Sequence, residues 1–176
     1  MKLAKSGTVI WLTGFSGSGK STIAQALESK LKGLGYLTCI LDGDKLRTGL
    51  NADLSFSKED REENIRRVTQ VAKLISDLGI ITICAFISPY QGSRDSARQI
   101  IGSKFKEVFV KCPIEICEKR DPKGLYMKQR SGKMKGLTGI DAPYENPSNP
   151  DLILETDKND IDSCIDLIMQ TILKDL

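Results

Sequence analysis

The residues best equipped for chemistry in this 176-residue chain stand in one run, Gly14-Phe15-Ser16-Gly17-Ser18-Gly19-Lys20-Ser21, followed by Thr22. The run fits G-x-x-x-x-G-K-S and sits between a β-branched segment and a helical one, the context in which that pattern binds phosphate. Glycines let successive backbone N–H groups turn into one concavity, and the helix N-terminus behind it adds positive potential. Lys20 is placed to reach the β and γ phosphates of a nucleotide, and Ser21 to hold Mg²⁺. A second pair of groups, Asp42 and Asp44 in Leu41-Asp42-Gly43-Asp44, follows the next strand-like segment. There one carboxylate can help hold a hydrated metal while the other accepts a hydrogen bond from an attacking hydroxyl. Alone, the pair reads as a solvated Asp-Gly turn; beside a phosphate loop it reads as part of a phosphoryl-transfer site.

Two further groups are singled out by helical geometry. At about 100° per residue, Arg61 and Asn64 fall inside the apolar arc of Ile65, Val68, Ala72 and Ile75. Unpartnered polar groups on a buried stripe are costly, so they are expected to face a polar ligand, or in the case of Arg61 an internal ion pair. Residues 119–135 carry seven basic side chains against the single acid Asp121. That stretch is either a solvated loop or a lid that folds over phosphates, and the second fits a phosphotransferase better.

These groups need elements to hold them. Apolar or β-branched runs at residues 8–13, 37–41, 80–87, 105–110 and 151–154 read as strands, apolar on both faces as in a parallel sheet covered by helices. Ser57-Lys58-Glu59-Asp60 is a capping box that opens a long helix ending before Gly79. Other helices are expected at 21–34, 92–101, 113–120 and from 160 to the C-terminus. The stretch 121–149, rich in glycine and proline, is expected to be irregular and to form the lid. The expected fold class is therefore α/β: a P-loop NTPase-type parallel sheet of about five strands, helices on both faces, in one domain spanning 1–176.

Composition bounds the function. Apolar residues make up 40% and charged residues 28%, the formal charge is +3, and no run approaches the roughly 20 apolar residues of a membrane span. No secretory signal opens the chain, so a cytoplasmic protein is expected. The five cysteines include no Cys-x-x-Cys pair and read as reduced core thiols. With no histidine, every imidazole-base mechanism is excluded.

The chain resembles the adenylylsulfate kinases from about residue 7 to residue 153. The resemblance is carried by the run from Gly14 to Thr22, Leu41-Asp42-Gly43-Asp44 with Arg47, Gly49 and Leu50, Phe56-Ser57 with Asp60-Arg61, and Glu63-Asn64-Ile65-Arg66-Arg67-Val68. Phe86-Ile87-Ser88-Pro89, Arg120-Asp121-Pro122-Lys123-Gly124-Leu125-Tyr126 and Thr138-Gly139-Ile140 complete it. It implies ATP and Mg²⁺ at the phosphate loop, with Arg130 on the nucleotide side and Ser21 and Asp42 on the metal. It implies adenosine 5′-phosphosulfate held by Arg47, Arg61, Asn64, the backbone around Ile87 and Lys123, with Phe56 stacked on its adenine. The catalytic set is Lys20, Asp42, Asp44 and Ser88, the last as the phosphorylated intermediate that family descriptions sometimes assign. Chemistry favours a different role for Ser88: in-line transfer needs no covalent relay, and no base lies near it in sequence. A homodimer is also implied; nucleic acid and membrane partners are not.

Four positions depart from the family pattern. Lys45 and Thr48 stand where the family usually has Asn and His, Gln91 where it has Arg, and Leu137 where a phenylalanine closes the second face of the substrate adenine. Leu137 is therefore expected to make a weaker sandwich. Another small-molecule kinase, or a GTPase-like switch, would use the same phosphate loop. The switch needs a guanine-reading Asn/Thr-Lys-x-Asp, and in Thr156-Asp157-Lys158-Asn159-Asp160 that spacing is interrupted by Asp157. A nucleic-acid module built on the basic stretch would have only Tyr126 for stacking.

Overall fold

The computed structural model describes residues 2–4 and 7–174. Five strands, β1 (Val9–Thr13), β2 (Thr38–Asp42), β3 (Ile81–Ala85), β4 (Phe105–Lys111) and β5 (Leu152–Glu155), pair in parallel in the order β2-β3-β1-β4-β5. β1 is the centre because its side chains are apolar on both faces. Ile10 and Leu12 join the core beneath helices α1 (Lys20–Gly33) and α7 (Ile161–Thr171), while Val9 and Trp11 pack beneath α3 (Lys58–Asp77) and α4 (Gln91–Ile101). Each fully buried side chain of this kind contributes about 1.5–3 kcal/mol. The long helix α3 starts where the capping box puts it, with Asp60 N–H donating to Ser57 Oγ at 3.1 Å.

In register, Asp42 lies beside Ala85, Ala85 beside Leu12, and Thr13 beside Phe109. Parallel pairing therefore brings the carboxyl ends of β2, β3, β1 and β4 to one edge, where open α/β sheets bind ligands. The phosphate-loop run leaves β1 there, Asp42 and Asp44 leave β2, and Ile87 and Ser88 leave β3.

The structure differs from the sequence reading in four places, the first being that α7 ends at Thr171, short of the C-terminus expected of it, with residues 175–176 outside the described ones. β3 stops at Ala85, short of residue 87, because Ser88 turns into the left-handed region with φ 40°. A five-residue helix α2 (Gly43–Arg47) follows β2 directly, with the Asp42 carboxylate capping it by accepting from Asp44 N–H at 3.0 Å. The stretch 121–149 is not irregular throughout: after α5 (Ile114–Arg120) it contains helix α6 (Leu125–Arg130). The segment also has a small core of its own, in which Tyr126 and Leu137 pack with Cys112 and Cys117. All five cysteines are free thiols, and four of them are buried. Among the described residues, no helix is long and apolar enough to cross a membrane.

Candidate active site

The loop between β1 and α1 is held by its carbonyl oxygens. Those of Gly14 and Phe15 accept from Lys20 Nζ at 2.9 and 2.6 Å, that of Ser16 from the Tyr126 hydroxyl at 2.9 Å, and that of Ser18 from Thr156 Oγ1 at 2.8 Å. Arg120 NH1 reaches the Gly17 carbonyl at 3.4 Å. In a planar trans peptide, C=O and the following N–H point in opposite directions, so each engaged carbonyl leaves the next N–H turned away from that carbonyl's partner, and most loop N–H groups make no hydrogen bond among the described residues. The exception is Ser18 N–H, bonded to Phe15 O at 3.2 Å. Glycine is required at Gly17, with φ +76°, because a Cβ there would lie 2.7 Å from the Cys117 carbonyl.

Lys20 is 9% exposed. Its removal from water, and secondarily the nearby Lys123 ammonium, lowers its pKa from 10.5 to about 8. Ser21 Oγ donates to Asp42 Oδ2 at 2.8 Å, so two hard oxygen donors stand together at the mouth of the loop. Among the described residues no cluster of three or more His, Cys, Asp or Glu is placed to hold a metal ion. The Ser21–Asp42 pair fits Mg²⁺, which binds through one or two protein oxygens plus phosphates and water rather than in an all-protein cage.

A cleft of about 830 Å³ runs from this loop across the sheet edge. Its far wall gathers Asp44, Arg47, Phe56, Arg61, Asn64, Ile87, Ser88, Lys123 and Leu137 from α2, the loop before α3, α3 itself, the turn after β3 and the segment 121–149. Phe56 is 64% exposed, with the Arg47 and Arg61 guanidinium carbons 4.2 and 5.8 Å from its ring centre. Burial and the neighbouring Arg61 charge hold the Arg47 pKa below its usual value, a crowding of cations that an anionic ligand relieves.

Arg61 donates to Phe56 O at 2.9 Å, to Thr138 Oγ1 at 2.7 Å and to Gly136 O at 2.7 Å, bridging α3 to the segment 121–149. A guanidinium has five N–H donors, so two remain for a ligand. Asn64 is fixed by Asn51, whose Nδ2 lies 2.7 Å from Asn64 Oδ1. Asp44 is ion-paired with Lys123. Ser88 is 2% exposed and its hydroxyl accepts from Trp11 Nε1 at 3.1 Å.

Two of the expected site residues sit differently. Arg130 is not in the cleft; its guanidinium is paired with Glu118 at 2.8 and 3.0 Å. At the nucleotide end the cleft is lined instead by Arg120, Thr156 and Asn159. Arg120 is tied to Thr156 O at 2.7 Å. In the sequence, 156–160 reads only as an interrupted guanine reader, and no spacing signal links it to the phosphate loop. Leu137 touches the cleft wall but is 4% exposed, because it is packed into the small core with Cys112, Cys117 and Tyr126. Little of the leucine side chain is therefore open to any ligand in the cleft.

A phosphate loop with its lysine and metal pair at the carboxyl edge of a five-stranded parallel sheet, facing an acid-bearing cationic wall, defines a P-loop phosphotransferase. Within that class the chain belongs to the adenylylsulphate kinase family, whose model matches residues 6–155. It is 58% identical to the adenylyl-sulfate kinase of Clostridium acetobutylicum over 96% of this chain and 84% of that protein. It is 53% identical to that of Clostridium kluyveri over 95% and 84%. Among solved structures, the APS kinase of Mycobacterium tuberculosis in complex with AMPPNP and APS superimposes with a TM-score of 0.92 at 46% identity, over 96% of this chain and 98% of that one.

Proposed function

We propose that this chain transfers the γ-phosphoryl group of ATP to the ribose 3′-hydroxyl of adenosine 5′-phosphosulfate, giving 3′-phosphoadenosine 5′-phosphosulfate and ADP. One observation carries the reading: the cationic wall of Arg47, Arg61 and Lys123 around an exposed Phe56 shares a cleft with the phosphate loop and with Asp44. An anion-bearing aromatic acceptor suits that wall, and a nucleotide donor suits the loop. Membership of the family, and a relative solved with AMPPNP and APS, support the same pairing.

The mechanism follows from positioning and charge, because phosphoryl transfer passes through a loose transition state with little covalent help. The loop N–H groups and Lys20 hold the β and γ phosphates. Ser21 and Asp42 would hold Mg²⁺, which when bound neutralises charge on the phosphate oxygens. Asp44, released from Lys123, orients the 3′-hydroxyl and takes its proton as the new O–P bond forms and the bond to the β-phosphate oxygen breaks. Phe56 stacks on the acceptor adenine, Arg47 and the two remaining Arg61 donors face the phosphosulfate, and Asn64 and the Ile87 backbone complete the acceptor pocket. The segment 121–149 acts as the lid that excludes water. We extend the reading to a cytoplasmic homodimer, on the family resemblance.

An ADP-release assay with ATP, Mg²⁺ and a panel of acceptors including adenosine 5′-phosphosulfate, AMP and gluconate tests the reading. Turnover confined to the phosphosulfate is expected; equal turnover with AMP would sink the acceptor assignment.

A further inference from the structure

Arg94, on α4, is the least exposed charged residue among those described, at 1%. Its guanidinium is surrounded by acceptors from four parts of the chain. It donates to Ser88 O at 2.6 Å, to Gln91 Oε1 at 2.7 Å and to Glu145 O at 2.7 Å. Its Nε lies 2.8 Å from Glu107 Oε1, a charge contact in which the N–H is not aimed at the oxygen. A helix that only covered the sheet would place an aliphatic side chain here, since burying a charge is unfavourable unless it is paired with an opposite charge and hydrogen-bonded.

What the arginine grips explains its presence. Ser88 has φ 40°, inside the left-handed region that residues other than glycine rarely adopt, a backbone conformation kept only where its surroundings enforce it. Three ties enforce it: Arg94 on its carbonyl, Trp11 Nε1 on its hydroxyl, and Thr13 Oγ1 on the Ile87 carbonyl at 2.7 Å. Thr13 Oγ1 in turn lies 3.0 Å from the Tyr144 hydroxyl, in the stretch whose Glu145 carbonyl Arg94 also holds. Arg94 itself does not line the cleft, whereas Ile87, Ser88 and Pro89 do.

We propose that Arg94 is a positioning residue for the acceptor: from outside the cleft it locks the Ser88 turn and thereby sets the Ile87–Ser88 backbone against the bound phosphosulfate nucleoside. It rests on the acceptor reading above. Arginine is required because its rigid fork spans acceptors in divergent directions, which a lysine ammonium cannot do.

The test is Arg94→Lys, which keeps a positive charge facing Glu107 but loses the fork. The wild type and variant are assayed with ATP and adenosine 5′-phosphosulfate, alongside titrations with an ATP analogue and near-ultraviolet circular dichroism. The expected result is a folded variant with kcat/KM for the acceptor lowered about ten- to hundredfold and affinity for the ATP analogue within about twofold, as a misplaced acceptor site demands. Acceptor kinetics within twofold of wild type would overturn the proposal, as would equal losses at both sites. If the lysine protein does not fold, Arg94→Gln/Glu107→Gln, which leaves no charge alone in the core, is read by the same criteria; failure of both to fold would make Arg94 purely structural. An inactive wild type would instead remove the acceptor reading itself, so the two failures are distinguishable.

Discussion

The donor and acceptor halves of the cleft are built on opposite plans. The donor half is one contiguous loop whose working groups are backbone amides, with five successive carbonyls, from Gly14 to Ser18, held by side-chain donors. The acceptor half is an assembly of side chains from α2, the loop before α3, α3 itself, the turn after β3 and the segment 121–149, several of which already bond one another. A backbone cradle tolerates exchange of most side chains around it. A side-chain wall is sensitive at each member.

The sharpest test of that contrast is Asp44→Asn, which keeps the shape of the side chain and removes its charge. Loss of a general base costs about 10²–10⁴-fold, so kcat is expected to fall in that range with ATP affinity nearly constant. A kcat within a few-fold of the parent would take the proton-accepting role away from Asp44.

Next in size is Arg61→Ala, which removes three bonds to Phe56, Thr138 and Gly136. Hydrogen bonds to a charged group are worth about 1.5–3 kcal/mol each, and part is regained from water. Acceptor kcat/KM is expected to fall about ten- to hundredfold with the ATP site spared. Loss of ATP affinity to the same extent would mean that the two halves are not separately built.

On the donor side the lever is pH. Lys20 in the free protein loses its proton as pH rises through about 8. The ammonium is the form that binds phosphate, so ATP affinity is expected to fall by up to about tenfold per pH unit above that value, with proton uptake on binding. Calorimetry below and above this pH, in buffers of different ionisation enthalpy, reads both quantities. The unligated fold has the opposite dependence. Its Lys20 pKa lies below the ordinary 10.5, the unfolded chain binds more protons in that window, and stability rises with pH from about 8 to 10.5 on this account.

The smallest expected effect on substrate belongs to Leu137→Phe. A phenylalanine at this 4% exposed position overpacks the small core around Tyr126 and is expected to destabilise the protein by about 1–3 kcal/mol. A lowered Tm with acceptor affinity changed less than about twofold is the predicted pair of readings. Clear tightening of acceptor binding would show that the ring reaches the adenine after all.

The same contrast governs what could be read in advance. The phosphate loop was legible because its chemistry depends on glycine and lysine at fixed local spacing. The long helix was legible from its Ser57 cap and apolar stripe, and the five strands from runs apolar on both faces. Arg61 and Asn64 were legible because a polar side chain on a buried stripe contradicts the helical period. Helix α2 was not, since five residues are too few to display a period, and α6 was hidden inside a run that reads as basic charge. The environment of Arg94 left no trace at all: its partners lie at positions 88, 91, 107 and 145, and only the folded sheet edge brings them together.

The ties on the phosphate loop also bear on how the chain is made. The loop is complete in sequence by residue 21, but its Ser16 and Ser18 carbonyls wait for partners 110 and 138 positions further on. Its parent strand β1 likewise pairs with β3 and β4, never with the strand that follows it in sequence. Such non-local closure slows folding, because the entropy of bringing distant segments together is lost before the contacts form. During vectorial synthesis the nucleotide loop leaves the ribosome well before the segments that give it its working shape. A nascent chain stopped before Arg120 has the whole phosphate-binding motif and none of the long-range anchors, on Arg120, Tyr126 and Thr156, that hold it open.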